Sequence, residues 1–132
     1  MKNKLLLFAT FLIGCSPSAC PDNLSFDSLN SVTYLNGELF TGRCATYDDG
    51  KIRSIQQYLN GKDYGKWKFY FSSGKIETIG RFNSQGKRIG KWRYFYSNGN
   101  KKQISSFSKN GEVKGRWVTY DSIGNITSDI NY

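Results

Sequence analysis

The sequence contains no histidine, which removes the commonest general base and a common metal ligand from its 132 residues. Its ten acidic residues are scattered, and it has neither a glycine-rich phosphate loop leading into a helix nor a nucleophile elbow. No constellation of catalytic groups can be assembled, so we expect no enzymatic activity and no bound cofactor or metal. The adjacent Asp48 and Asp49 leave a carboxylate-only or Ca²⁺ site as an alternative, although Asp is also favoured in turns for backbone reasons.

Aliphatic side chains are also scarce once the first fourteen residues are set aside. Leu, Ile, Val and Phe then approach the level, about 20%, below which disorder becomes plausible. The chain nevertheless has three Trp and nine Tyr, and aromatic rings bury about 150–250 Å² each. Its length leaves room for one domain. We therefore predict a single folded but thin domain with an aromatic core.

The sequence lacks an apolar run long enough to span a bilayer. Leu5 to Ile13 has nine residues, whereas a spanning helix needs roughly 20. The run follows a basic start, Met1 to Lys4, and this arrangement is typical of a signal peptide, which we place at residues 1–14.

A possible processing site follows the apolar run. Leu12-Ile13-Gly14-Cys15 resembles the lipobox of bacterial lipoproteins, which predicts that Cys15 is the lipidated first residue of the mature chain. The alternative is ordinary cleavage after Ala19, which would place Pro17 at a position that normally takes a small residue.

The chain has three cysteines, an odd number that would leave a free thiol in an oxidising compartment. If Cys15 carries lipid, Cys20 and Cys44 remain as a pair, and export favours a disulfide between them. This bridge would close a loop of about 25 residues and contribute on the order of 3 kcal/mol. The alternative is two unpaired, buried cysteines. The absence of a C-x-x-C motif favours a structural over a redox role.

One sequence pattern recurs four times, at a spacing of about 24–25 residues. Each copy has Gly followed by Lys or Arg, an aromatic residue five positions after that Gly, a second Gly, and an aromatic residue eight positions after the second Gly. The copies are GRCATYDDGKIRSIQQY (42–58), GKWKFYFSSGKIETIGRF (65–82), GKWRYFYSNGNKKQISSF (90–107) and GRWVTYDSIGNITSDINY (115–132). A fixed period of this length is typical of repeat architectures.

Each copy predicts a β-hairpin. Its first half is rich in aromatic residues, and stretches such as Ser-Ser-Gly-Lys and Ser-Asn-Gly-Asn tolerate the positive φ that a tight reversal needs. Asn-Gly or Gln-Gly pairs between copies make the next reversal. The predicted fold is all-β, a single-layer antiparallel meander of about four repeated hairpins at residues 34–132. A signal peptide (1–14) and a lipidated tether with an N-terminal cap (15–33) precede it.

Strand alternation sorts the side chains of these hairpins onto two faces. One face is predicted to be buried by an aromatic ladder, formed by Trp67, Phe69, Trp92, Tyr94 and Trp117. The opposite face is predicted to carry a row of basic residues, namely Arg43, Lys66, Lys68, Lys91, Arg93 and Arg116.

The first copy has Cys44 where the other three have Trp. A terminal repeat lacks a neighbour on one side and needs a cap. We therefore expect the bridge from Cys20 to hold the non-repetitive segment, Pro21 to Val32, over this end of the array.

The phrases GKWKFYFSSGK (65–75) and GKWRYFYSNGN (90–100), with Asn-Gly between copies, resemble the MORN-type repeat. The variant resembled is the one found in bacterial proteins often labelled YwqK-like antitoxins, and the resemblance covers Tyr34 to Tyr132. It implies a single-layered antiparallel sheet of hairpins. Lipid binding, scaffolding and self-association have been suggested for such repeats, and the antitoxin label implies a protein toxin as partner.

Basic residues are in excess. Without Lys2 and Lys4 the chain has 17 basic and 10 acidic residues, a net charge of +7. A basic sheet face is typical of surfaces that engage phospholipid or lipopolysaccharide head groups, or an acidic protein. The alternative is that exposed Lys prevents edge association and keeps an aromatic-rich sheet soluble.

Together these features predict a non-enzymatic, membrane-anchored repeat lipoprotein that acts as a binding or scaffold module at the bacterial cell envelope. Expected partners are the membrane, through the N-terminal lipid, and an envelope protein, anionic lipid or lipopolysaccharide, but not nucleic acid. Ser16 after Cys15 is not an acidic retention signal, which favours the outer membrane. The alternative is an antitoxin- or immunity-like protein that binds a protein toxin.

Overall fold

The computed structural model describes residues 17–132, and the regular structure in this range consists of β-strands. The strands are β1 (Leu24–Asp27), β2 (Val32–Leu35), β3 (Glu38–Leu39), β4 (Gly42–Asp48), β5 (Lys51–Leu59), β6 (Lys62–Asp63), β7 (Gly65–Tyr70), β8 (Ile76–Phe82), β9 (Arg88–Phe95), β10 (Lys101–Phe107), β11 (Arg116–Tyr120) and β12 (Ile126–Asn131). The predicted all-β fold is confirmed. Residues 17–132 include no helix that could cross a membrane. The predicted signal peptide and Cys15 lie outside the described residues.

Nine strands form a large antiparallel sheet. Eight of them lie side by side in the order β12-β11-β10-β9-β8-β7-β5-β4, and β6 pairs with β5. The two strands of each repeated copy are neighbours, as β4 with β5, β7 with β8, β9 with β10 and β11 with β12. Successive hairpins join through β5 with β7, β8 with β9, and β10 with β11. The predicted meander of four repeated hairpins is therefore confirmed.

The reversals within the second, third and fourth repeated hairpins share one hydrogen-bond pattern. At the end of β7, Gly74 N donates to Phe71 O (2.9 Å) and Phe71 N donates to Lys75 O (2.9 Å). Gly74 has φ +85°, a left-handed conformation that other residues adopt at a cost. This is the three-residue hairpin loop in which a turn is followed by a left-handed glycine. The same two bonds recur at residues 96–100 and 121–125, which explains the fixed position of the second Gly in the last three copies. The first copy instead reverses through a two-residue loop, Asp49-Gly50, in which both residues have positive φ.

Aromatic rings on one face of the large sheet, here called the Trp face, pack edge to face across the strands. Ring centroids lie 5.4 Å apart for Tyr58 and Trp67, 5.2 Å for Trp67 and Phe82, and 5.0 Å for Phe82 and Trp92. Phe82, eight positions after Gly74, thus lies between Trp67 and Trp92. Each such pair contributes about 0.5–1.5 kcal/mol beyond the area that it buries.

The ladder recurs in the last hairpin. Trp117 packs against Phe107 at 6.0 Å and against Tyr132 at 5.6 Å. Phe69 and Tyr94, also predicted ladder members, lie 5.9 Å from Trp67 and 6.4 Å from Trp92, respectively. Trp67 and Trp92 are 8% and 2% exposed, whereas Trp117 near the end of the sheet is only partly buried.

The indoles also bond the backbone of the preceding hairpin. Trp67 Nε1 donates to Gln57 O (2.9 Å) and Trp92 Nε1 donates to Arg81 O (3.2 Å). Trp92 can reach Arg81 O because its ring lies directly over Gly80, where any β-carbon would overlap the indole. Each hairpin is therefore tied to the next by a ring contact and by a side-chain hydrogen bond.

The N-terminal segment covers the outer edge of β4. Cys20 N donates to Ala45 O and Ala45 N donates to Ser18 O, both at 2.8 Å. The predicted disulfide between Cys20 and Cys44 is present, and Cys44 is 2% exposed. The bridge therefore fixes the segment at the position where the first repeat lacks an indole.

Strands β1, β2 and β3 form a second, small sheet in that order. It meets the large sheet where Gly61 N donates to Phe40 O and Thr33 N donates to Gly61 O, both at 2.7 Å. We expected the repeat domain to begin at residue 34, but residues 34–39 pair within the small sheet. The large sheet begins at Gly42, because the aromatic spacing of the repeat begins there and the earlier Asn36-Gly37 reversal connects β2 to β3.

Replacing both bridging cysteines should destabilise the domain. The disulfide spans 24 positions, and the Cys20→Ala/Cys44→Ala variant is expected to lose about 3 kcal/mol of unfolding free energy because its unfolded chain is less restricted. Denaturant unfolding measures this loss. Wild-type protein treated with reductant should show the same loss and the variant should not respond to reductant; equal stability of oxidised wild type and variant would contradict the assigned role.

Two small residues on the Trp face form a matched pair for testing the packing. Gly80→Ala is expected to cost about 1–3 kcal/mol, because the new methyl group must displace Trp92 from its buried position. Ser105 pairs opposite Trp92 and is fully buried, and its Oγ has no hydrogen-bond partner within residues 17–132. Ser105→Ala should therefore be neutral or stabilise by about 1 kcal/mol. Thermal unfolding measures the stability of both variants. A more stable Gly80→Ala variant or a strongly destabilised Ser105→Ala variant would refute this account of the packing.

Candidate functional site

Basic residues line the face of the large sheet opposite the indoles, here called the basic face. The strand register places Lys66 opposite Arg81 and Lys68 opposite Ile79 on neighbouring strands. Arg93 of β9 in turn pairs with Ile79. Because directly paired residues share a face, the three hairpin strands β7, β8 and β9 bring these cations to one side of the sheet.

A shallow depression of about 280 Å³ lies in the middle of the basic face, here called the basic depression. It is lined by Lys66, Ile79, Gly80, Arg81, Lys91 and Arg93. The four cations are exposed or nearly so, and no acidic residue lines the depression. The arrangement is suited to bind a group with more than one negative charge, because guanidinium and ammonium groups can approach it from three strands.

An irregularity in strand pairing creates the depression. Between β8 and β9, Ile79 pairs with Arg93 but Arg81 pairs with Ile89, so two steps on β8 correspond to four on β9. Lys91 falls inside this shift and has no directly paired residue on β8. Such irregularities bend a strand and re-aim its side chains, and both Arg81 and Lys91 line the depression at this point.

Three predicted members of the basic row do not line the depression. Arg116 pairs instead with Asp129, through Nε to Oδ1 at 2.9 Å and Nη2 to Oδ2 at 2.6 Å. The hydrogen bond lowers the pKa of Asp129 and raises the pKa of Arg116. Lys68 is half-buried between Ile55 and Ile79, and Arg43 lies at the far end of the sheet on β4. The Arg116–Asp129 pair is the one salt bridge within residues 17–132.

Sequence reasoning missed Arg81. The predicted row was drawn only from the first strand of each hairpin, whereas Arg81 lies on a second strand. Its position could have been found from the hairpin register, since the reversal at Gly74 places Gly80 opposite Trp67 and therefore Arg81 opposite Lys66.

A second concave region lies on the Trp face, under the small sheet, and is here called the cap cleft. It has a volume of about 470 Å³. Its walls are mainly apolar, with a few polar groups, and its lining residues are Cys20, Pro21, Leu24, Ser25, Phe26, Thr33, Thr46, Gln56, Tyr58, Asp63 and Trp67. Apolar clefts with a few convergent polar groups are the usual form of small-ligand sites.

Asp63 and Tyr58 are the titratable groups of the cap cleft. Burial raises the pKa of the Asp63 carboxyl above its ordinary value. Burial, and to a lesser extent the charge of Asp63, raise the pKa of Tyr58 to about 12. The Tyr58 hydroxyl donates to Gln56 Oε1 at 2.7 Å. Sequence reasoning missed this cleft because Asp63 follows an Asn-Gly reversal that resembles an exposed turn, and the small sheet that buries it is not part of the repeat.

The adjacent Asp48 and Asp49 do not gather further ligands. Within residues 17–132 no group of three or more His, Cys, Asp or Glu side chains is arranged to hold a metal ion. Asp48 pairs with Lys51 in the β4–β5 ladder, and Asp49 has φ +48° at the reversal. Asp49 is therefore a turn residue, as the backbone preference of Asp favours, and Asp48 is the last residue of β4.

Comparison with known proteins identifies the repeat in the two hairpins that form the basic depression. Residues 63–84 and 88–110 match a family model described as a MORN repeat variant. The search of curated proteins gave no match. A solved structure described as a GtfA/B complex bound to UDP and GlcNAc is similar at 12% identity and a TM-score of 0.37; the similarity covers 88% of this chain and 26% of that one. The MORN-type resemblance is thus confirmed for the second and third copies.

Removing the charge of Asp63 should stabilise the protein at neutral pH. The raised pKa means that the folded state binds this proton more tightly than the unfolded state, so Asp63 favours folding at low pH and opposes it once ionised. Asp63→Asn is therefore expected to raise the unfolding free energy at pH 7, and to differ little from wild type below about pH 3.8, where the carboxyl is protonated in both states.

Denaturant unfolding of both proteins at pH 3 and pH 7 tests this expectation. The exposed Asp48→Asn serves as the control, with a change expected within about 0.5 kcal/mol at either pH. A destabilised Asp63→Asn variant at pH 7 would mean that the carboxylate has a favourable partner in the folded chain.

Proposed function

We propose that this chain is a non-enzymatic binding module of the bacterial cell envelope, held at the membrane by a lipid on Cys15, and that its basic depression takes an anionic group. Its MORN-type repeats support a binding or scaffold role, because they present a rigid sheet with one face free of the core. The observation that carries the proposal is the cluster of Lys66, Arg81, Lys91 and Arg93 without an acidic neighbour.

Like charges held together in a depression repel one another, and an anion relieves that repulsion. Among the acidic residues of the large sheet, Asp129 forms a salt bridge with Arg116, and no carboxylate lines the depression. A cluster that served solubility alone would be as effective if its charges were spread apart or mixed with acidic groups. Concentration of four cations on three adjacent strands therefore favours a binding role.

The anchor would place the depression near anionic head groups. Two peptide units separate Cys15 from Pro17, the first described residue, and an extended chain spans at most about 3.6 Å per residue. The disulfide then fixes Cys20 to the large sheet within a few residues. A lipid on Cys15 would therefore hold the domain close to the bilayer. Phospholipid or lipopolysaccharide phosphates are the anions nearest to such a domain, and Ser16 favours the outer membrane.

An antitoxin- or immunity-like role is the second candidate, and it rests on the resemblance to YwqK-like proteins. A toxin partner would be a protein and need not use the depression. Co-purification of the native lipoprotein after crosslinking separates the two: an envelope component retained through the basic depression supports the first, and a stoichiometric toxin, encoded beside this chain, supports the second.

Neutralising the basic depression should weaken binding to anionic membranes. The probe is vesicles of phosphatidylglycerol, and the background is Cys15→Ser, so that no acyl chain contributes. Changing Lys66, Arg81, Lys91 and Arg93 to Ser is expected to weaken binding by up to about a thousandfold, since each basic residue near an anionic surface contributes about 1 kcal/mol. Vesicle flotation at low and high salt measures the loss, which should shrink at high salt.

The matched control changes four exposed lysines outside the depression to Ser, namely Lys51, Lys75, Lys101 and Lys109. It removes the same charge and should retain most of the binding. Equal losses of vesicle binding in both variants would mean that binding depends on the overall charge and not on the basic depression. Mass spectrometry of the wild-type N-terminus tests the anchor separately, and an unmodified Cys15 would refute the lipoprotein assignment.

A further inference from the structure

We propose that the cap cleft binds a small organic amine, with the ammonium group paired to Asp63 and the apolar body packed under the small sheet. This site lies on the Trp face, whereas the basic depression lies on the opposite face and selects anions. The inference therefore goes beyond the proposed function and does not depend on the membrane anchor.

Asp63 differs from three other aspartates in residues 17–132, because its carboxylate is half-buried and has no partner within that range. Three other aspartates are each satisfied locally: Asp27 accepts from Asn30 and the Leu29 amide, Asp121 from Asn125, and Asp129 from Arg116. The Asp63 carboxylate, although half-buried, accepts no hydrogen bond and forms no salt bridge within residues 17–132. In a chain with 19 basic residues, a desolvated carboxylate without a cation is unusual and is suited to a cation from outside.

The walls of the cleft define the rest of the ligand. Tyr58 and Trp67, each 8% exposed, line it, Leu24 of the small sheet packs against them, and Phe26, which is 65% exposed, lies at the solvent side. These apolar surfaces remove part of the water around the half-buried carboxylate, and a charge pair is stronger where the local dielectric is lower. They also fit a hydrocarbon or aromatic body better than a fully hydroxylated one.

Among the other polar residues that line the cleft, Gln56 has a hydrogen bond that fixes its side chain. Gln56 accepts the Tyr58 hydroxyl through Oε1, which fixes the amide orientation and leaves Nε2 as a donor. An amine that also has a hydroxyl or carbonyl oxygen could accept this hydrogen bond. The cleft therefore offers an anionic acceptor at Asp63 and a neutral donor at Gln56.

The cleft is held in shape without a ligand. The disulfide fixes Cys20 at one rim, and backbone bonds from Thr33 and Gly61 join the small sheet to the large one. A preformed site loses little conformational entropy when it binds, so even a small ligand can gain measurable affinity.

The test compares two probes of the same shape, 2-phenylethylammonium and the neutral 2-phenylethanol. Full-length protein in a non-ionic detergent is titrated while the indole N–H of Trp67 is followed by NMR. This proton reports on the cleft because Trp67 lines it and Nε1 donates to Gln57 O. The indole of Trp117, at the other end of the sheet, is the internal reference.

We expect the ammonium probe to bind about tenfold or more tightly than the alcohol to wild type, because its charge is paired in a partly desolvated site. Asp63→Asn should abolish that preference and leave the alcohol unaffected. Asp48→Asn and the variant with Ser at the four positions of the basic depression should bind the ammonium probe as wild type does.

Three results would overturn the proposal. These are equal binding of amine and alcohol to wild type, undiminished amine binding by a folded Asp63→Asn variant, and no response of the Trp67 indole to millimolar amine. Loss of anion binding in the depression variants together with normal amine binding would show that the two sites are separate, so failure of one assignment is distinguishable from failure of the other.

Discussion

The packing of aromatic rings across neighbouring strands holds this fold together. A single-layer sheet has no second layer to bury its apolar face, so its side chains must cover one another. Tyr58, Trp67, Phe82 and Trp92 do so by alternating along the sheet at 5.0–5.4 Å between ring centroids. The indole N–H groups reach the backbone of the preceding hairpin, so the same residues also fix the spacing of hairpins. The basic face on the other side of the sheet therefore does not have to pack against another layer.

Much of this arrangement could be predicted from the sequence, because the repeat itself carries the information. The spacing of Trp67, Trp92 and the paired glycines determines the hairpins, and the two-residue alternation of strands then assigns the faces. The disulfide followed from the number of cysteines once Cys15 was set aside. The intercalated role of Phe82 was not predicted, although its recurrence eight positions after Gly74 was visible.

Features that break the repeat could not be predicted in this way. The small sheet has no counterpart among the four copies, so the burial of Asp63 beneath it had no signal in the repeat. The shift of β9 relative to β8 has counterparts where β5 meets β7 and where β10 meets β11, and strict alternation does not predict it. The depression is strongly basic at the middle junction because Arg81 stands where the equivalent positions have Gln57 and Ser106. The cap cleft thus lies where the structure departs from its own periodicity, whereas the basic depression lies at a junction that recurs. Arg116 does not join the predicted row because it pairs with Asp129.

The two ends of the large sheet differ, because Ser18 and Cys20 cover β4 while β12 pairs only with β11. Each hairpin packs chiefly on its immediate neighbours, so duplication of a unit of about 25 residues beyond β9 would lengthen the sheet by two strands, roughly 10 Å, without disturbing the cap. Gene duplication and loss would therefore change the length of the sheet as a separate variable. The length of the large sheet can therefore evolve independently of the residues that line its candidate sites.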